Sequence, residues 1–211
     1  MANVMTTYVK IKNLDTESHK KLVDLFQTKG ETFDESVDLT PHFNKLYDRN
    51  FNDTDNFYGI AFMNDNVGSK WLRIEFGVWS TKNFIEETTE VDLILESAWN
   101  VPTKYLEQLT WVLTEINKDV VVYGTYEDES YNPMGAFVYA KDYDDIEDHD
   151  EEVDFDAMLD DEDYKYEVMN EIQELRDALY ENYLEVKSVV KCSDVTWWKF
   201  KYLRSEERRV G

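Results

Sequence analysis

The chain has 211 residues, with 46 Asp+Glu against 22 Lys+Arg, a formal net charge of −24 and a single cysteine. That length fits one globular domain with attachments or two small ones, and 42% hydrophobic residues can build a core, which excludes wholesale disorder. The acidity opposes direct binding to nucleic-acid phosphates or anionic lipid, one cysteine allows no disulfide framework within the chain, and no apolar run reaches the length of a membrane span.

Thr7, Val9 and Ile11 alternate with polar residues between Thr6 and Lys12, the pattern of a half-buried strand. Asp15 is placed to cap a helix whose stripe is Leu22, Leu25 and Phe26, with Leu14 as the preceding apolar staple and Gly30 beyond its end. Residues 31–56 are polar, carry Pro41 and read as an irregular insertion. Phe57 to Met63 reads as a strand, Asn64 to Gly68 as a turn, Trp71 to Trp79 as an alternating strand, and Val91, Leu93 and Leu95 as another. Pro102 opens a helix striped by Leu106, Leu109, Leu113 and Ile116. Asp119 to Glu127 contains the strand Val120-Val121-Val122-Tyr123, and a turn at Asn132 to Gly135 leads to a hairpin partner at Ala136 to Ala140. In order, this predicts an α+β fold with a ferredoxin-like (split βαβ) antiparallel sheet and two helices over residues 1–141.

Charge is spread unevenly. Residues 142–163 hold 14 Asp+Glu and no Lys or Arg, which reads as a self-repelling, solvated acidic spacer. Beyond it, Val168, Ile172, Leu175, Leu179 and Val186 share one stripe of a helix expected to dock back on the domain, and Val195 to Tyr202 reads as a strand lacking its partner. Residues 164–203 thus form a helix and a truncated strand region. The last eight residues, Arg204 to Gly211, match the in-frame translation of a short sequencing adaptor, so they are expected to be an artefact of an environmental (metagenomic) assembly that cut the natural chain near Leu203.

No reaction motif emerges. His19, His42 and His149 are scattered without zinc spacing, and Cys192 has no local motif. A calcium loop starting at Asp148 fails, because Val153 stands where the turn needs Gly and Leu159 where it needs Glu. No phosphate-cradling Gly-rich loop is present, so no cofactor or metal is expected.

Three segments carry a family resemblance. Gly68-Ser69-Lys70-Trp71 resembles the Gly-Thr-Lys-Trp signature of the YubB-like ferredoxin-fold family of plasmid and phage proteins. Ser97-Ala98-Trp99-Asn100-Val101-Pro102 is similar to its Thr-Ala-Trp-Ser-Pro-Pro segment, and Tyr126-Glu127 with Gly135-Ala136-Phe137 to its closing hairpin. The resemblance covers about residues 5–141. Leu72 departs from it where the family has an acidic residue, as do Asn64 to Val67 in place of an aromatic-rich stretch. It implies a fold and a mobile-element origin but no reaction; the single cysteine and an N-terminus without a signal-peptide layout point to the cytoplasm, that of a bacterial host given such an origin.

Lys70, Trp71, Trp99 and Glu127, at strand ends or helix entrances, are the candidates for a shared surface. Packed Trp rings and a Lys70–Glu127 ion pair are the structural alternative. Asp144, Asp145, Glu147, Asp148, Asp150, Glu151 and Glu152 are the candidate acidic interaction segment. The function expected is that of a non-catalytic accessory protein contacting a basic host protein. A small-molecule binder or small enzyme with a pocket near Trp71 and Trp99 is the alternative.

Overall fold

The structure, a computed structural model, describes residues 3–26, 39–49, 59–75, 88–149 and 153–192. Six strands form one sheet: β1 (Val4–Lys12), β2 (Leu72–Glu75), β3 (Glu90–Ala98), β4 (Val121–Asp128), β5 (Met134–Ala140) and β6 (Tyr143–Asp148). Among the described residues the helices are α1 (Thr16–Phe26), α2 (Thr40–Leu46), α3 (Ile60–Asn66), α4 (Thr103–Thr114), α5 (Phe155–Asp160) and α6 (Glu162–Cys192). The strand order is β2-β3-β1-β4-β5-β6, and every neighbouring pair is antiparallel. The fold is therefore α+β, with a larger sheet and more helices than the two-helix pattern predicts.

Local chemistry accounts for the ends. Asp15 accepts a hydrogen bond from the Ser18 backbone N–H at 2.8 Å while the Asp15 N–H donates to Ser18 Oγ at 2.9 Å, a reciprocal cap for α1. β1 alternates fully buried residues with half-buried or exposed ones, because α1 and α4 pack on one of its faces. In contrast β5 is buried at every position and β4 nearly so, as the unbroken apolar runs Val120 to Tyr123 and Ala136 to Ala140 require. α6 supplies the second cover: Leu179 and Tyr183 pack on Val121, Tyr123, Ala136, Val138 and Tyr143. Its first half, through Val168 and Ile172, packs on Met134, Val153 and Met158.

Two expectations are corrected here. Ile60–Asn66 is a helix rather than part of a strand, and it sets Met63, with Val67 just past its end, into the main core beside Phe43 and Tyr105. A short apolar run fits either period, and packing decided this one. The acidic stretch is not a spacer along its length. Tyr143–Asp148 pairs with β5, and Asp154 and Asp161 cap α5 and α6 by accepting bonds from the N–H groups of Asp156, Ala157, Asp163 and Tyr164 at 3.0 to 3.2 Å. Part of its acidity is thus spent at helix starts. The remainder of the 31–56 insertion around α2, the continuation of the Trp71 strand past Glu75, the Val195 to Tyr202 strand and the tail 204–211 lie outside the described residues.

α2 is tied into the core by a buried imidazole. His42 Nδ1–H donates to the Leu25 carbonyl at 3.0 Å, Tyr105 Oη donates to Nε2 at 3.0 Å, and the ring stacks on Phe26 with centroids 4.3 Å apart. One side chain thereby joins α1, α2 and α4. Burial lowers its pKa from 6.5 to about 4.

Candidate functional site

Of the four candidate surface residues, the structure sets two, Lys70 and Trp99, in contact. The turn before β2 and the turn after β3 are clipped to each other by buried Ser69, whose Oγ accepts from the Ala98 N–H at 2.9 Å and lies 2.9 Å from the Ala98 carbonyl. Gly68 makes its bend with φ +86°, a conformation open to glycine. The clip sets exposed Lys70 over Trp99, with Nζ 5.3 Å from the ring centroid; Trp71, next in the chain, is half-buried.

Trp99 itself has φ +63° and a 52% exposed side chain. A bulky residue in the left-handed region costs about 1–2 kcal/mol. Trp99 N–H donates to Asn3 O at 3.0 Å and Ser97 Oγ donates to Asn100 O at 2.7 Å, so the surrounding turn holds the strain. Close by, Lys104 Nζ donates to the Asn64 and Asp65 carbonyls at 3.2 and 3.1 Å, a cation at the C-terminal end of α3.

Glu127 does not belong to this group. Lys70 precedes β2 and Glu127 sits on β4, three strand spacings or roughly 14 Å across the sheet, so the Lys70–Glu127 ion pair is not formed. Glu127 instead accepts a hydrogen bond from Tyr8 Oη at 3.1 Å. Burial raises its pKa, while the Tyr8 bond and the positive charge of Lys165 on α6 oppose that rise. Tyr8 is pushed up to about 12, first by burial and then by the Glu127 charge. Tyr8, Glu127 and Lys165 thus meet on the sheet face opposite α1 and α4. Sequence gave no signal for this group, because its members come from three distant segments.

The acidic segment acquires geometry. Asp144, Ile146 and Asp148 face the α4 side of the sheet, whereas Tyr143, Asp145 and Glu147 face the α6 side, as their pairing with Tyr139, Phe137 and Gly135 and with Ala140, Val138 and Ala136 dictates. Asp148 accepts a hydrogen bond from Tyr126 Oη, which reaches it across Gly135. On α4, Glu107 is held above the usual carboxylate range, first by its burial and then by the Asp144 charge. His149 Nε2 lies 3.0 Å from Glu171 Oε2 and ties the end of β6 to α6. Asp150, Glu151 and Glu152 lie outside the described residues.

Among the described residues no group of three or more His, Cys, Asp or Glu side chains converges as a metal site, and no helix is long and apolar enough to cross a membrane. No family model, curated protein or solved structure matches the chain.

Proposed function

We propose that this is a non-catalytic accessory protein of a plasmid or phage, acting in a bacterial cytoplasm by contact with a basic host protein. The observation that carries the reading is β6: four carboxylates in six residues on the last strand of a sheet, a fixed display of negative charge rather than a diffuse one. Charge held in place steers basic partners and repels acidic ones. The ferredoxin-like assignment and the YubB-like kinship belong to the same proposal. They are supported by the order β2-β3-β1-β4 with α1 and α4 as the connecting helices, which is the split βαβ order.

The test is binding of the full chain to a panel of basic host proteins, compared with the variant Asp144→Asn/Asp145→Asn/Glu147→Gln. Binding that weakens in the variant and falls as salt rises toward physiological strength is expected. Binding indifferent to both would refute the reading.

The Lys70–Trp99 pair supports a second reading, a ligand-binding surface, because strain retained under an exposed aromatic marks functional sites. A small-molecule screen reading Trp99 fluorescence, with Trp99→Phe as control, tests it. Hits that bind the control equally would remove it.

A further inference from the structure

We infer that the Lys70–Trp99 surface takes a small planar aromatic acid, its ring stacked on the Trp99 indole and its anionic group paired with the Lys70 ammonium. This rests on the ligand-surface reading above and names the class of ligand.

The first observation is the cost of presenting the ring. Trp99 holds φ +63° with its side chain 52% exposed. Glycine or asparagine takes that conformation readily, whereas a bulky side chain is strained in it, and strain of this kind clusters at ligand sites. The second is what Lys70 does. Elsewhere among the described residues lysines end on carboxylates: Lys10 at Glu90 and Asp92, Lys45 at Asp24, Lys141 at Glu115 and Lys187 at Asp119. Lys70 forms no ion pair with a described residue and ends instead over the indole, 5.3 Å from its centroid. That is near the outer limit of about 6 Å for a cation–π contact, so the ammonium is loosely held.

The third observation narrows the ligand. Polar groups of the two turns are committed to one another: Ser69 Oγ to the Ala98 backbone, Ser97 Oγ to the Asn100 carbonyl and Trp99 N–H to the Asn3 carbonyl. The surface then offers chiefly a flat apolar ring and a positive charge. A flat anion matches that pair, whereas a polyhydroxylated ligand needs converging hydrogen-bonding groups. A cationic ligand would meet Lys70 as a like charge. An entering aromatic ring takes the place of the ammonium over Trp99, and Lys70 swings on its flexible stem to the ring's edge, where the acid group meets it. The net charge of −24 does not oppose this strongly. At 0.1 M salt exposed charges beyond about 10 Å are largely screened, and the acid group meets Lys70 at contact.

The experiment is a nuclear magnetic resonance titration of the full chain labelled with nitrogen-15. The Trp99 indole N–H signal is identified by its loss in Trp99→Phe. Four probes are added in turn: 2-naphthoate, 2-naphthylmethylammonium, cyclohexanecarboxylate and glucuronate. Saturable movement of the Trp99 signal by 2-naphthoate is expected, with each of the other three about fivefold weaker or worse. Lys70→Gln should weaken 2-naphthoate about threefold, the scale of an exposed ion pair, while leaving the fold intact. Equal binding of the naphthyl cation, or no effect of Lys70→Gln, would overturn the preference for an anion. Equal binding of cyclohexanecarboxylate or glucuronate would overturn the preference for an aromatic ring. Any of these results leaves the ligand-surface reading standing, and a Trp99 signal that no probe moves would overturn both.

Discussion

Acidification should loosen the α1–α2–α4 junction through His42. In the folded chain its imidazole is buried and neutral, and protonation would place a second N–H donor against Tyr105 Oη, in a site that also feels the positive charge of Lys45. A depressed folded pKa means that the unfolded chain takes up the proton first as pH falls. The stabilisation is complete above pH 6.5, the unfolded value, and is lost as pH falls to about 4. Between pH 7 and pH 5 those two values predict a loss of about 2 kcal/mol from this group alone. Urea unfolding at both pH values measures it, and His42→Gln isolates it, because the amide can donate to Leu25 O and accept from Tyr105 without titrating. The variant is expected to be about 1 kcal/mol less stable at pH 7, through imperfect geometry, yet to lose about 2 kcal/mol less than the wild type on going to pH 5. Equal losses in the two proteins would refute the reasoning.

Three further predictions test other parts of the structure. Gly135→Ala places a Cβ 2.2 Å from Glu147 O and 2.3 Å from Tyr126 Oη, so it should cost about 1–3 kcal/mol in thermal unfolding and loosen β6 first in hydrogen exchange. Asp128 is buried and its Oδ1 accepts from Ser130 N–H, Ser130 Oγ and Asn132 N–H at 2.7 to 2.9 Å. Asp128→Ala should therefore cost about 2–3 kcal/mol by orphaning those donors, measured by chemical denaturation. Tyr8→Phe removes the bond that favours ionised Glu127, so the Glu127 carboxyl should titrate at higher pH in a carbon-detected NMR titration; a downward move would contradict the geometry.

Much of the sheet was legible because hydrophobic period and burial agree. β1 and β3 alternate in sequence and alternate in burial, and the Leu106, Leu109 and Leu113 stripe of α4 is buried as written. Ile116, expected on the same stripe, falls past the end of the helix and is exposed. β6 was hidden by its charge: only Tyr143 and Ile146 are apolar, and an edge strand needs little more to pair with β5. α3 was hidden by ambiguity, since its apolar residues fit a strand equally well until α4 claimed one face. The candidate site divided along the same line. Lys70 and Trp99, from two turns that carry recognisable residue patterns, lie in contact. Glu127 was misplaced because sheet order, which separates it from Lys70, cannot be read from spacing along a chain.

The two-part footing of α6 determines how this protein can be taken apart. A fragment ending at residue 141 would lose both β6 and the long helix, laying open Val121, Tyr123, Ala136 and Val138 on a face with a fresh sheet edge beside it. Such a fragment presents the combination that drives self-association, so its loss of binding would say nothing about charge. Dissection is better done by substitution within the intact chain. The long helix is the lid over the apolar half of the sheet, and Tyr143 at the start of the acidic strand packs beneath it against Tyr183.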